Sequence, residues 1–131
     1  MEKGRQSMNR FIDNNDGTIT DIKTGLVWQK DTAPWTFTWE KAVKYCGEMG
    51  DGWRLPTIEE LISIVDYSRI DPAIDSVFFN AQSSDYWSST TNAYDPGYAW
   101  YVDVYYGYVS YAYKSSSSNY VRAVRSLGEK P

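Results

Sequence analysis

The sequence predicts an α+β domain in which two helices pack on a mainly antiparallel sheet. Three observations lead there. Strand-like stretches open the chain, two helical stretches follow, and strand-like stretches close it; strands and helices that cluster rather than alternate belong to α+β folds. The second helical stretch begins with a capping box. In the last third, apolar and polar residues alternate with the period of a strand.

Residues 10–30 read as a β-meander. "RFIDNNDGTITD" places two short strands around an Asn-Asp-Gly turn, where Gly17 supplies positive φ and Ile19 alternates with threonines. "DIKTGLVWQK" repeats the pattern, Lys23-Thr24-Gly25 turning into a strand that carries Leu26 and Trp28. "TWEKAVKYCGEMG" is the first helix, capped by Thr38, with Trp39, Ala42, Val43 and Cys46 at helical spacing and Gly47 or Gly50 near its end. In "DGWRLPTIEELISIVDYS", Thr57 and Glu60 can each satisfy an unpaired backbone N–H at the start of the second helix. Leu61, Ile62, Ile64 and Val65 then line its buried face, and Pro56 stands ahead of the cap, where it costs no helical bond. The remaining strands are "DYWSST", "AWYVDVY", a turn at Gly107, "YVSYAY" and "YVRAVRS". Period 2 puts Trp100, Val102 and Val104 on the core side, and Tyr101, Asp103 and Tyr105 toward solvent or a ligand.

At 131 residues the chain suits one domain with a real core, over residues 10–127. Residues 1–9 are polar, are expected to form a flexible segment, and lack the apolar centre of a signal peptide. A formal charge of −4 argues against a nucleic-acid partner. No apolar run approaches a membrane span, so no membrane insertion is expected. One cysteine and no histidine exclude an internal disulfide, the usual transition-metal sites and a histidine-dependent triad. We therefore expect no enzyme, no catalytic residue, no metal and no cofactor.

Individual motifs mostly reduce to structure. "DNNDGTITD" resembles a calcium loop, but alignment on Gly17 puts Ile12 at the first ligand position and Lys23 at the last. A hairpin turn is expected. Asp71 with Asp75, and Glu59 with Glu60, are not placed to flank a cleft as a glycosidase pair must. Cys46 lies on an apolar stripe and reads as a buried, inert thiol. Trp28, Trp39, Trp53, Trp87 and Trp100 read mostly as core, while Trp35 sits in a loop and fits either role.

The tyrosines do not reduce in this way. Ten of the twelve fall between Tyr86 and Tyr120, among serines, and Ser83 to Tyr113 contains no Lys, Arg, Glu, Gln or Met. A plain surface sheet would leave so large an aromatic patch without purpose. The mixture of Tyr, Ser, Gly and Asn is that of binding surfaces: rigid amphipathic area from Tyr, adaptable hydrogen bonding from Ser and Asn.

The words "DGTITDIKTGLVWQK", "WEKAVKYC", "GWRLPTIEELISIVD", "PAID", "FF", "YWSST", "AWYVDV", "GYV" and "YVRAVR", in that order, resemble the Lcl C-terminal domain family over residues 11–126. The resemblance implies a C-type lectin-like fold, in the branch shared with formylglycine-generating enzymes. Some proteins of that fold are the variable proteins of diversity-generating retroelements, whose genes are randomised at template adenines, usually in AAC-type codons. Such codons cannot yield Lys, Glu, Gln, Met or Trp, which fits Ser83 to Tyr113 if Trp87 and Trp100 are fixed.

The resemblance thus implies a variable-like region over about residues 83–126. Its framework would be Trp87, Ser88, Trp100, Val102, Val104, Gly107, Val109, Val121, Arg122, Val124 and Arg125. The displayed, ligand-binding positions would be Asn92, Tyr94, Asp95, Tyr98, Tyr101, Asp103, Tyr105, Tyr106, Tyr108, Ser110, Tyr111 and Tyr113. Ser115 to Ser118 are either displayed or a mobile loop. The implied partner is a protein or glycan receptor on a target cell, met at a virion or cell surface. A fixed adhesin or an interdomain module is the alternative binding role, and the oligomeric state is open. A formylglycine-generating-type enzyme needs a copper-binding cysteine pair that Cys46 alone does not supply. The Glu-Pro-Asn, Gln-Pro-Asp and Trp-Asn-Asp motifs of calcium-dependent lectins are absent.

Overall fold

The computed structural model describes residues 9–78 and 80–128, so residues 1–8 of the expected flexible segment lie outside the described residues. Strands β1 (Phe11–Asp13), β2 (Thr18–Asp21) and β3 (Leu26–Gln29) precede helices α1 (Trp39–Gly47) and α2 (Ile58–Ser63). Strands β4 (Asp85–Thr91), β5 (Tyr98–Asp103), β6 (Tyr108–Tyr113) and β7 (Val124–Ser126) follow. The class is α+β, and both sheets are antiparallel: β1-β2-β3-β7 and β4-β5-β6.

The meander forms as expected. In the β1–β2 turn Gly17 has φ of 88°, and the carboxylates serve the turn itself. Asp13 accepts from the Asn15 N–H at 2.9 Å and Asp16 from the Thr18 N–H at 3.0 Å. Lys30 completes the arrangement with a 2.7 Å ion pair to Asp13. Asp21, fully buried, is held by both guanidinium arms of Arg10 at 2.7–2.8 Å, and Arg10 also donates to the Ser63 carbonyl. Burial alone would raise the Asp21 pKa, but the Arg10 and Thr24 hydrogen bonds outweigh it and hold it below its ordinary value.

Both helices are short, and each buries a narrower stripe than the sequence spacing implies. Thr38 occupies the N-cap of α1 in extended conformation, yet its side chain makes no capping bond. The helix start is tied by the backbone instead, the Trp39 N–H donating to the Lys114 carbonyl at 3.2 Å. Ala42 and Cys46 are buried, whereas Val43 is exposed, because one residue turns the helix about 100° away from that face. In α2 the capping box is present in both directions, and Arg54 forks onto Glu60 at 2.7 and 2.8 Å. Ile58, Leu61 and Ile64 are buried, while Ile62 faces out and Val65 is half-buried.

The expectation that only one face of β5 meets the core is corrected. Val102 and Ala99 project to opposite faces of the strand, and both are fully buried. Val102 packs with Ile19, Trp28, Leu61, Phe78 and Val124, between the first sheet and α2. Ala99 packs with Ala42, Cys46, Trp87 and Val121, beneath α1. Tyr101 therefore rests against this second core rather than standing in solvent, and Trp100 is only part-buried against the first. A sheet covered on both sides has no simple in/out alternation.

The closing stretch "YVRAVRS" is not one strand. Asn119 bridges Phe37, Tyr120 bridges Tyr86, and only Val124–Ser126 forms a regular strand, on β3. The segment thus stitches the two sheets together. Between its two attachments Arg122 is buried and donates to the carbonyls of Gln29 (3.0 Å) and Lys30 and to the Thr32 hydroxyl (2.8 Å). Its guanidinium lies over the Phe78 ring, 5.4 Å from the centroid.

Candidate functional site

The tyrosines divide into two groups once β5 and β6 are paired. In the β5–β6 register Tyr98 faces Tyr113, Trp100 faces Tyr111 and Val102 faces Val109. Residues directly opposite share a face, so Tyr98, Trp100, Val109, Tyr111 and Tyr113 lie on one side of the sheet. Their rings touch. Tyr98 sits 4.4 Å from Tyr113 and 5.0 Å from Tyr111, and Trp100 is edge-on to Tyr111 at 5.4 Å. Val102 seals the buried end of this row, and the other end opens to solvent: Tyr111 and Tyr113 are 48% and 54% exposed. The neighbouring Tyr113 hydroxyl first, and then burial, push the Tyr98 phenol up to about 12.

The second group surrounds the β5–β6 turn. Tyr105 contacts Tyr106 at 4.5 Å, and Tyr106 stacks on Tyr108 at 5.2 Å. Gly107 makes the turn, its N–H donating to the Asp103 carbonyl at 2.7 Å with φ of 92°. Tyr67 approaches from the loop after α2 and donates its hydroxyl to the Gly107 carbonyl at 3.3 Å. The exposed Tyr67 ring belongs with this group, and the sequence reading missed it. No local pattern marks it, since the contact joins residues 40 apart.

The other expected positions scatter. Tyr94 is almost wholly exposed at the tip of the β4–β5 loop. Asp95 is exposed beside it and accepts from the Gly97 N–H at 3.0 Å. Asn92, expected to be displayed, is 7% exposed, and its carboxamide accepts from the Tyr94 N–H at 2.9 Å. It is buried rather than displayed, and it shapes the loop as Asn does in turns. Ser110 is half-buried on the face opposite the tyrosine row. Asp103 is half-buried on that same face, opposite Asp85, and accepts from the Tyr105 N–H at 2.9 Å. Burial first, and then Asp103, raise the Asp85 pKa. Val109, assigned to the framework, is 40% exposed and adds to the tyrosine row. Three of the four serines from Ser115 to Ser118 are exposed, beyond the end of β6.

The scaffold beneath is well anchored. Trp87, fully buried, donates its indole N–H to the Phe37 carbonyl at 2.7 Å. Ser88 donates its hydroxyl to the Trp100 carbonyl at 2.7 Å, and Trp39 donates to the Ser88 carbonyl at 2.9 Å. Tyr86 and Tyr120 also belong to the scaffold: Tyr86 is buried, and its hydroxyl pairs with Thr32 at 2.7 Å.

Chemistry-bearing groups elsewhere are committed to structure. Burial pushes the Cys46 thiol up to about 12, so almost none of it is thiolate at neutral pH. A pocket of about 570 Å³ lined by Arg10, Phe11, Val65, Asp66, Tyr67 and Asp75 adjoins the second tyrosine group through Tyr67. Its Arg10 holds Asp21, its Asp66 holds Ser68 and Arg69, and its Asp75 caps the Val77 N–H. Among the described residues no group of three or more His, Cys, Asp or Glu side chains could hold a metal ion, and no helix is long and apolar enough to cross a membrane.

Residues 17–125 match the model of the Lcl C-terminal domain family, and the chain belongs to that family. No curated protein matches it.

Proposed function

For this member of the Lcl C-terminal domain family, we propose a non-enzymatic recognition domain of C-type lectin-like fold that presents its tyrosine surface to a protein or glycan receptor at a virion or cell surface. One observation carries the reading. Tyr98, Tyr111, Tyr113 and Trp100 form one contiguous row of touching rings on one face of the β5–β6 ladder, and Val109 extends it. Aromatic side chains fixed by strand pairing lose little entropy on contact, and their hydroxyls suit both glycan and peptide partners. The surface is a row rather than an enclosed pocket, which favours a macromolecular partner over a small one. The inert Cys46 thiol and the absence of histidine support a binding role over turnover.

Diversification by a retroelement is the finer part of the reading. Its support is the split between framework and display. Trp87, Ser88, Val102, Val104, Val121, Arg122 and Val124 are buried, whereas Tyr94, Tyr106, Tyr108, Tyr111 and Tyr113 are exposed.

The test is to present the labelled chain to arrays of glycans and surface proteins, beside a Tyr98→Ser/Tyr111→Ser/Tyr113→Ser variant. Each anchor is expected to contribute about 1–3 kcal/mol, so the triple change weakens binding by about a hundredfold or more. Binding that the triple variant retains in full would contradict the reading.

A further inference from the structure

Strand β6 is the outer strand of the three-stranded sheet, and among the described residues no strand pairs with its far side. Edge strands are ordinarily protected by Lys, Pro or a bulge. β6 reads Tyr-Val-Ser-Tyr-Ala-Tyr, with unbroken register to β5 and none of these devices.

The ladder also says which backbone groups face outward. The Lys114 N–H donates to the Gly97 carbonyl at 2.9 Å, one step beyond the Tyr98–Tyr113 pair. Hydrogen-bonded and non-bonded pairs alternate along an antiparallel ladder. Ala112, Ser110 and Tyr108 therefore bond back to β5, while Val109 and Tyr111 turn their N–H and C=O groups to the open side. Beyond them the edge closes, since the Tyr113 carbonyl accepts from the Ser117 N–H at 3.1 Å.

Charge identifies the occupant. Ser83 to Tyr113 carries Asp85, Asp95 and Asp103 and no Lys or Arg. The next cation, Lys114, is turned to the opposite face, donating to the Thr91 hydroxyl at 2.9 Å and lying 4.2 Å over the Trp39 ring. Asp85 and Asp103 face the other side of the sheet, but Asp95 lies beside Tyr98. A row of tyrosine rings with that carboxylate beside it, on a segment free of Lys and Arg, favours guanidinium or ammonium groups.

We propose that the outer edge of β6 receives an extended, arginine- or lysine-bearing segment of a partner polypeptide as a fourth strand. Its backbone bonds Val109 and Tyr111, and alternate cationic side chains lie against Val109, Tyr111 and Tyr113. Its intervening side chains cover Ser110 and Ala112, which are small enough to leave room. The proposal deepens the recognition reading above and rests on it.

The probe is a blocked peptide alternating Thr and Arg over seven residues, titrated into the full isotope-labelled chain while backbone amide resonances are followed. The expected result is saturable shifts centred on the Val109 and Tyr111 amides, with at least about tenfold weaker binding when Glu replaces Arg. Val109→Pro removes an outward N–H without touching the ladder to β5, and it should abolish those shifts. N-methylation of alternate peptide amides asks the same question without changing the protein. Equal binding of the Glu peptide, shifts centred away from β6, or no shifts at millimolar peptide would each overturn the proposal. If array binding still depends on Tyr98, Tyr111 and Tyr113 while the β6 amides stay unmoved, the strand proposal falls and the recognition reading stands. Array binding indifferent to those tyrosines sinks the recognition reading itself.

Discussion

Tyr98 and Tyr113 stand directly opposite each other across the β5–β6 ladder, ring centroids 4.4 Å apart, and Tyr113 is the main cause that raises the Tyr98 phenol. Ionising Tyr98 places charge beside Tyr113, Asp95 and Tyr111. One phenol is therefore expected to resist titration up to about 12, against an ordinary 10.0. Because the folded-state value is the higher one, the associated stability is complete below 10.0 and is lost as pH rises toward about 12. Spectrophotometric titration of Tyr113→Phe should return the late phenol toward the ordinary range. An unchanged curve would disprove the pairing.

Gly107 is the second pressure point. A Cβ there would sit 2.7 Å from Val65 Cγ1 and 3.1 Å from Tyr67 Cε1, on a backbone at φ of 92°. Gly107→Ala is predicted to destabilise the fold by about 1–3 kcal/mol, measured by urea unfolding. Adding Val65→Ala should recover only the steric part, leaving the backbone strain. Full recovery would mean that the positive φ costs nothing.

Asp85 faces Asp103 across β4 and β5, and its carboxyl is raised by burial and by that neighbour. A carboxyl raised on folding opposes stability while ionised, and the penalty fades as pH falls through its folded-state value. Asp85→Asn should stabilise the chain at neutral pH by about 0.2–1 kcal/mol. The gap between variant and parent should close toward about pH 4, a comparison that removes the opposite effect of Asp21. A gap independent of pH would point to packing instead.

Arg122 supports three oxygens, one at the end of β3 and two just after it, from inside the molecule. Arg122→Met keeps much of the bulk but leaves the Gln29 and Lys30 carbonyls unserved. A loss of about 2–5 kcal/mol in urea unfolding is expected. A loss below about 0.5 kcal/mol, typical of a surface change, would show that the network is dispensable.

Much of this architecture is legible locally. The capping box at Thr57 and Glu60, the Gly17 turn and the Cys46 burial each depend on neighbours within a few residues, and all three appear as read. What was not legible depends on what covers each face. Nothing near Tyr101 announces that α1 lies over it, so a half-buried tyrosine read as a displayed one. Asn92 looks like a contact residue by type, yet its carboxamide is used within its own loop. Val109 looks like core by type, yet its strand is an edge. Tyr67 joins the surface only through tertiary contact with Gly107.

The central claim is that a fixed, buried framework carries an exchangeable tyrosine-rich display. Sequencing the locus that encodes residues 83–126 tests it most directly. The account predicts a near-copy of these codons beside a reverse transcriptase gene. Its differences would fall at template adenines in the codons for exposed residues such as Tyr94, Tyr106, Tyr108, Tyr111 and Tyr113, and would spare Trp87, Ser88, Val102, Gly107, Val121 and Arg122. No near-copy, or differences that fall on those framework codons, would contradict it.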